Sequence, residues 1–120
     1  MTKQITCRLN KAVKEKFSAY AARFDLDDSQ LAKLLFRREQ HHRQLAVLVA
    51  SGGRVGVTPP LSATRPPAVT AHYRSPEAIA EFDTYAASCG LARNKAAAWI
   101  LERELMEHWL EESFFRTPDR

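Results

Sequence analysis

Apolar and polar positions alternate over residues 3–9: Ile5, Cys7 and Leu9 fall on one side, Gln4, Thr6 and Arg8 on the other. That alternation predicts a half-buried strand. The period then lengthens. Behind Asn10, a residue able to cap a helix, Val13, Phe17, Tyr20, Ala21 and Phe24 recur at helical spacing as one apolar stripe. Leu26 sits in a turn, and Asp27 followed by Gln30 makes a capping box for a second helix. Its inner face is Leu31, Leu34, Leu35 and then Leu45 and Leu48, and Gly52-Gly53 stops it.

The same order returns further along. Ala68 to Arg74 reads as a strand, Ser75-Pro76 as a cap followed by a proline at the first helical position, and Gly90 as the end of that helix. Ile79, Phe82, Tyr85, Ala86 and Cys89 form its apolar stripe. A last helix is predicted from about Arg93 to Ser113, with Trp99, Ile100, Leu105, Met106, Trp109 and Leu110 on its apolar side. Residues 17–39 match residues 82–104 without a gap at an offset of 65, with eight identities: Phe17/Phe82, Tyr20/Tyr85, Ala21/Ala86, Ala22/Ala87, Leu26/Leu91, Ala32/Ala97, Arg38/Arg103 and Glu39/Glu104. The chain is an internal duplication.

In the second strand, the offset of 65 would turn Val69, Ala71 and Tyr73 outward. A slip of one residue exposes Thr70, His72 and Arg74 instead, and the apolar alternation favours the slip. The two copies occupy residues 1–51 and 68–120; residues 52–67, with two Pro-Pro pairs and three of the four glycines, read as a linker rather than packed structure. Extended as polyproline at about 3.1 Å per residue, it spans roughly 40 Å. A lone strand-helix-helix unit can neither bury its helices nor satisfy its strand edges. Antiparallel pairing of the two strands solves both problems. The expected fold is mostly α with one two-stranded antiparallel ribbon, two units in one chain forming an intramolecular pseudo-dimer.

Composition narrows the function. The 120 residues are 45% hydrophobic and 27% charged, enough for one modest core and little for a catalytic scaffold with a lid. A binding module is therefore expected, not an enzyme. No apolar run is long enough for a membrane span, and the Met1-Thr2-Lys3-Gln4 start lacks the apolar stretch of a signal peptide. Cys7 and Cys89 have neither disulfide-framework nor zinc spacing; both fall on predicted core faces. Residues 1–53 carry a net charge of +5 and residues 54–120 a net charge of −1. A basic half suits a polyanionic partner or a solvated face equally.

A two-stranded ribbon fits the major groove of B-DNA, where amides, hydroxyls and guanidinium groups read base edges. With I-T-C-R-L-N, V-x-x-x-F-x-x-Y-A and L-D-D-S-Q-L in the first copy and F-x-x-Y-A-A-S-C-G-L-A-R-N-K-A in the second, the chain resembles the ribbon-helix-helix family of bacterial DNA-binding proteins. The resemblance covers about 90 of 120 residues. Most members of that family are homodimers of single units; the tandem form is similar to the TraY-type accessory proteins of conjugative plasmid transfer, which bind near an origin of transfer and help a relaxase assemble. The resemblance implies base contacts from Gln4, Thr6 and Arg8 and, with the slip, from Thr70, His72 and Arg74. It also implies phosphate contacts at the start of each second helix: Arg93, Asn94 and Lys95 in the second copy and Ser29 in the first. There the chain departs from the pattern, because Asp27 and Asp28 repel a phosphate. Unequal contacts on the two half-sites are expected.

Partners implied are double-stranded DNA and a relaxase or other transfer protein, in a bacterial cytoplasm, with no membrane, no cofactor and no metal; a higher oligomer on DNA stays open. Two alternatives stand beside this reading. One is a transcriptional repressor or an antitoxin-type autoregulator. The other is a protein-contact scaffold without DNA binding, which the acidic second half and Asp27-Asp28 favour. His41, His42 and His108 lack metal-ligand spacing and read as surface residues. Phe17, Phe82, Tyr20 and Tyr85 read as core. Glu102, Glu104, Glu107, Glu111 and Glu112 read as the solvated side of the last helix. Trp109, Phe114 and Phe115 either pack on the other copy or form an exposed contact.

Overall fold

A computed structural model describes residues 3–59 and 66–115; residues 60–65 of the expected linker and the side chains of Phe114 and Phe115 lie outside the described residues. The order of elements is β1 (Gln4–Arg8), α1 (Lys11–Ala22), α2 (Asp28–His42), α3 (Gln44–Ala50), β2 (Ala68–His72), α4 (Pro76–Ser88), α5 (Arg93–Glu107) and α6 (Trp109–Phe115). The described chain is mostly helical with one antiparallel sheet of two strands. Gln4 faces His72, Thr6 faces Thr70 and Arg8 faces Ala68. Ile5, Cys7, Val69 and Ala71 point inward and are buried. The second strand thus takes the slipped register, and it ends at His72, so Arg74 lies in a bend beyond it.

The helix starts follow local chemistry. Asn10 Oδ1 accepts from Ala12 N at 2.9 Å, and Asp27 and Gln30 close a reciprocal capping box on α2. Pro76 opens α4. The ends of α1 and α4 match: Leu26 N donates to Ala21 O and Leu91 N to Ala86 O, each after a left-handed residue, Asp25 (φ 59°) and Gly90 (φ 74°).

Packing interlocks the two halves. α5 rests on β1 while α2 rests on β2, so each strand is covered by the second helix of the other half. Phe17, Phe36 and Phe82 are fully buried, and Phe36 meets Phe82 across the halves with ring centroids 4.9 Å apart. Burying each such ring stabilises the fold by about 1.5–3 kcal/mol. Cys7 and Cys89 are buried free thiols, and burial pushes the Cys7 thiol up to about 12, which keeps it protonated at neutral pH.

Both long second helices are shorter than the sequence pattern implies. α2 stops at His42, where Arg43 is left-handed (φ 56°), and α5 stops at Glu107, where His108 is left-handed (φ 55°). The cause is a buried carboxylate. Glu39, 3% exposed, accepts from Leu45 N at the start of α3 (2.6 Å) and from the Tyr85 hydroxyl of the other half. Glu104, 2% exposed, accepts from Leu110 N (2.8 Å) and from the Tyr20 hydroxyl (2.6 Å). A turn of helix has to break for the chain to bring those N–H groups onto the carboxylate. Burial and the carboxylate hydrogen bonds push both tyrosine hydroxyls well above their usual range, with desolvation the larger cause.

Three expectations are corrected here, and one open alternative, that for Trp109, is decided. Glu104 is not on the solvated side of its helix, because Tyr20 and Leu110 hold it inside. Leu34 (37% exposed) and Met106 (66% exposed) are not core; Leu34 lines an open groove between α2 and α4. Trp109 packs across the halves, with the Arg38 guanidinium 4.7 Å above its ring. Part of the linker is packed structure: Val55 and Val57 lie against the core, Thr58 N donates to Glu102 Oε1 at 3.0 Å, and Asn10 Nδ2 donates to Pro59 O at 2.9 Å.

Candidate nucleic-acid interface

The outer face of the ribbon carries Gln4, Thr6 and Arg8 on β1 and Ala68, Thr70 and His72 on β2. Gln4, Arg8 and His72 are exposed, and the two central threonine hydroxyls lie 3.2 Å apart. Five residues per strand at about 3.3 Å per residue give a face about 17 Å long, and a two-stranded ribbon suits a major groove about 12 Å wide. One end pairs Gln4 with His72 and the other pairs Arg8 with Ala68, so the ends present different chemistry. Arg8 Nη1 donates to Pro66 O at 2.8 Å, which steadies the guanidinium and leaves its other donors open.

Ser29 sits at the β2 edge of the ribbon, with its hydroxyl accepting from His72 N at 3.1 Å. It ties α2 to the ribbon through an acceptor lone pair, and its O–H remains the group that can donate to a phosphate. The starts of the two second helices differ. At α2, Asp27 occupies Gln30 N, and Asp28 is held by Lys14 at 2.9 Å and by the Ser18 hydroxyl at 3.0 Å. At α5 the first-turn N–H groups have no side-chain cap, since Ala92 stands at the cap position. Asn94 and Lys95 are exposed there. Arg93 makes a two-pronged contact with Asp83 from α4 at 2.6 and 2.5 Å. That contact holds the Asp83 carboxyl below its usual range and raises the Arg93 guanidinium.

Of the ten residues expected to contact DNA, the structure brings Gln4, Thr6, Arg8, Thr70 and His72 onto one face. It places Arg93, Asn94 and Lys95 together at the start of α5, sets Ser29 at the β2 edge of the ribbon, and leaves Arg74 exposed but off the strand. The strand alternation did not reveal Ala68 as the partner of Arg8 or the anchoring of Arg8 by Pro66. Among the described residues, no cluster of His, Cys, Asp and Glu could hold a metal ion, and no helix is long and apolar enough to cross a membrane. Compared with protein-family models, curated proteins and solved structures, the chain matches none.

Proposed function

We propose that this protein binds double-stranded DNA sequence-specifically, as a tandem ribbon-helix-helix in which the two halves of one chain form a pseudo-dimer. The observation that carries the reading is the ribbon: its inner alternates are buried, while an amide, two hydroxyls, a guanidinium and an imidazole stand in one row outside. Arg8 is suited to guanine O6 and N7 and Gln4 to adenine N6 and N7, each worth about 1–3 kcal/mol of base discrimination. The uncapped start of α5, with Asn94 and Lys95, supports a phosphate anchor beside the groove. The start of α2 supports only a weaker one, so the target is asymmetric. A setting at a plasmid origin of transfer rests on the resemblance of the tandem form.

The test is selection from a random duplex library at two salt concentrations, with the wild-type protein and with Arg8→Ala. The expected result is a short enriched motif, affinity that falls steeply with salt, and loss of preference at one position in Arg8→Ala. Absence of both enrichment and salt-sensitive binding would overturn the reading in favour of a protein-contact scaffold.

A further inference from the structure

A groove of about 400 Å³ runs between α2 and α4, lined by Lys33, Leu34 and Arg37 of α2, Tyr73 after β2, and Ala78 and Glu81 of α4. Its counterpart in the other half is identified by the repeat. At the offset of 65, Arg37 corresponds to Glu102, Leu34 to Trp99 and Lys33 to Ala98 on α5, while Ala78 corresponds to Val13 on α1. That counterpart carries an occupant from the chain itself. Residues 55–59 run past it, with Val55 and Val57 partly buried against the core. Thr58 bonds Glu102 through both its N–H and its hydroxyl, and Pro59 O accepts from Asn10 at the start of α1. The chain's own segment thus shows one way to occupy such a place: two small apolar side chains packed on the core and one polar side chain bonded to the residue at position 102.

No described segment covers the α2–α4 groove in the same way. Leu34 is 37% exposed on its floor. Among the described residues neither Lys33 nor Arg37 belongs to an ion pair; the Lys33 ammonium lies 5.3 Å above the Tyr73 ring. Where the filled groove offers a carboxylate to a hydroxyl, the open one offers a guanidinium and an ammonium, with Glu81 the one acid on its wall. The matching polar residue of an occupant is then a carboxylate.

We infer that the α2–α4 groove is a docking site for an extended segment of a partner protein, in which a small apolar residue is followed by an acidic one that pairs with Arg37. The chain's own residues 55–59 supply the template, with the acidic residue standing where Thr58 stands. This site adjoins the end of β2 at Tyr73 but uses none of the ribbon's outer side chains, and the inference does not depend on DNA binding.

The probe is a synthetic peptide of residues 55–59 carrying Thr58→Glu, titrated into isotope-labelled full-length protein and followed by amide NMR signals. A peptide this short binds with a Kd of about 1 mM. The expected result is movement confined to the signals of Lys33, Leu34, Arg37, Tyr73, Ala78 and Glu81, and binding about tenfold tighter than that of the unaltered peptide. Arg37 is exposed, so Arg37→Glu leaves the fold intact, which its own spectrum checks; it should reverse the preference between the two peptides. Equal binding of both peptides, unchanged preference in Arg37→Glu, signals moving elsewhere or no movement at about 5 mM peptide would overturn the inference. So would displacement of the peptide by a DNA duplex that moves the same signals, which would assign the groove to phosphate contact.

Discussion

At the start of α2 an aspartate is held by a lysine from α1; at the equivalent place in the second half an arginine is held by an aspartate from α4. Asp28 and Arg93 are the same repeat position, as are Ser18 and Asp83, yet the ion pair is inverted. Each pair fastens a first helix to the start of a second helix. The structural task is the same, with the acid and the base exchanged between the two elements. The difference extends to the cap, an acidic capping box on α2 against a bare Ala92 on α5. It also extends to the ribbon, where Arg8 and Gln4 occupy the places that His72 and Ala68 hold across the central Thr6–Thr70 pair. Two copies in one chain are free to diverge at the surface in a way a symmetric homodimer is not.

One buried arrangement is common to both halves. Glu39 with Tyr85 and Leu45 repeats as Glu104 with Tyr20 and Leu110, and each crossing joins one half to the other. Glu39→Ala leaves a buried hydroxyl and a buried N–H without an acceptor, at about 1–3 kcal/mol each. A loss of about 3–5 kcal/mol, read from urea unfolding, is the largest effect expected of any change outside the apolar core. Glu104→Ala should cost about 1 kcal/mol less, because Glu104 already keeps Oε1 buried with no hydrogen-bond partner among the described residues. Equal losses, or a larger loss at Glu104, would break this ranking.

The reason these carboxylates escape a reading of the sequence is instructive. The strands, the caps at Asn10 and Asp27, Gly90 and the aromatic core follow from local spacing, and each is legible. The breaks at Arg43 and His108 carry no glycine or proline, because a tertiary contact rather than a local preference sets them. A signal was present all the same. Glu39 sits eight residues after Leu31, on the core face of its helix, and both Glu39 and Tyr20 are identical in the two copies. A charged residue at a core position that repeats together with a hydroxyl-bearing one is the pattern to look for. Packing of residues 55–59 is hidden for the opposite reason: two valines between glycines and prolines look like spacer until Glu102 is seen across from Thr58. At the ribbon, the buried alternates settle the register, but the pairing of Arg8 with Ala68 needs both strands in place.

If the proposed DNA contacts are made, the inverted surface charge has a graded consequence. Lys95→Ala removes one cation at the uncapped start of α5, and should flatten the slope of log affinity against log salt by about 1 while weakening binding evenly across sequences. Asp27→Asn keeps the cap, since asparagine caps as well as aspartate, and removes a negative charge from the start of α2. A small gain in affinity is expected there, with a slope change well below that of Lys95→Ala. Matching changes measured by a salt series on a single duplex would mean that both halves grip phosphate alike.

The smallest effect separates the halves by pH. Arg43 and His108 are equivalent left-handed residues, and each lies against the tyrosine of the opposite half. The Arg43 guanidinium is 4.8 Å above Tyr85, and the His108 ring stands edge-on to Tyr20 at 5.4 Å. Only His108 titrates near neutrality. Its hydrogen bond to Glu111 at 3.0 Å is the main reason that its pKa is raised above the ordinary 6.5. A raised pKa means the folded state favours the protonated ring, so this contribution is complete below pH 6.5 and fades as pH rises through the folded value. Exposure of the pair to solvent keeps it small. Thermal unfolding between about pH 6 and pH 8 should show a slight loss of stability in the wild type and a flatter profile in His108→Arg, which copies the other half. The Glu111 carboxyl is held below its usual range by His108 and then by Arg23, so its share is lost only at acid pH and stays with Arg23 in the variant. An unchanged slope in His108→Arg would mean that His108 does not carry the pH dependence, and the halves would then be alike at this position too.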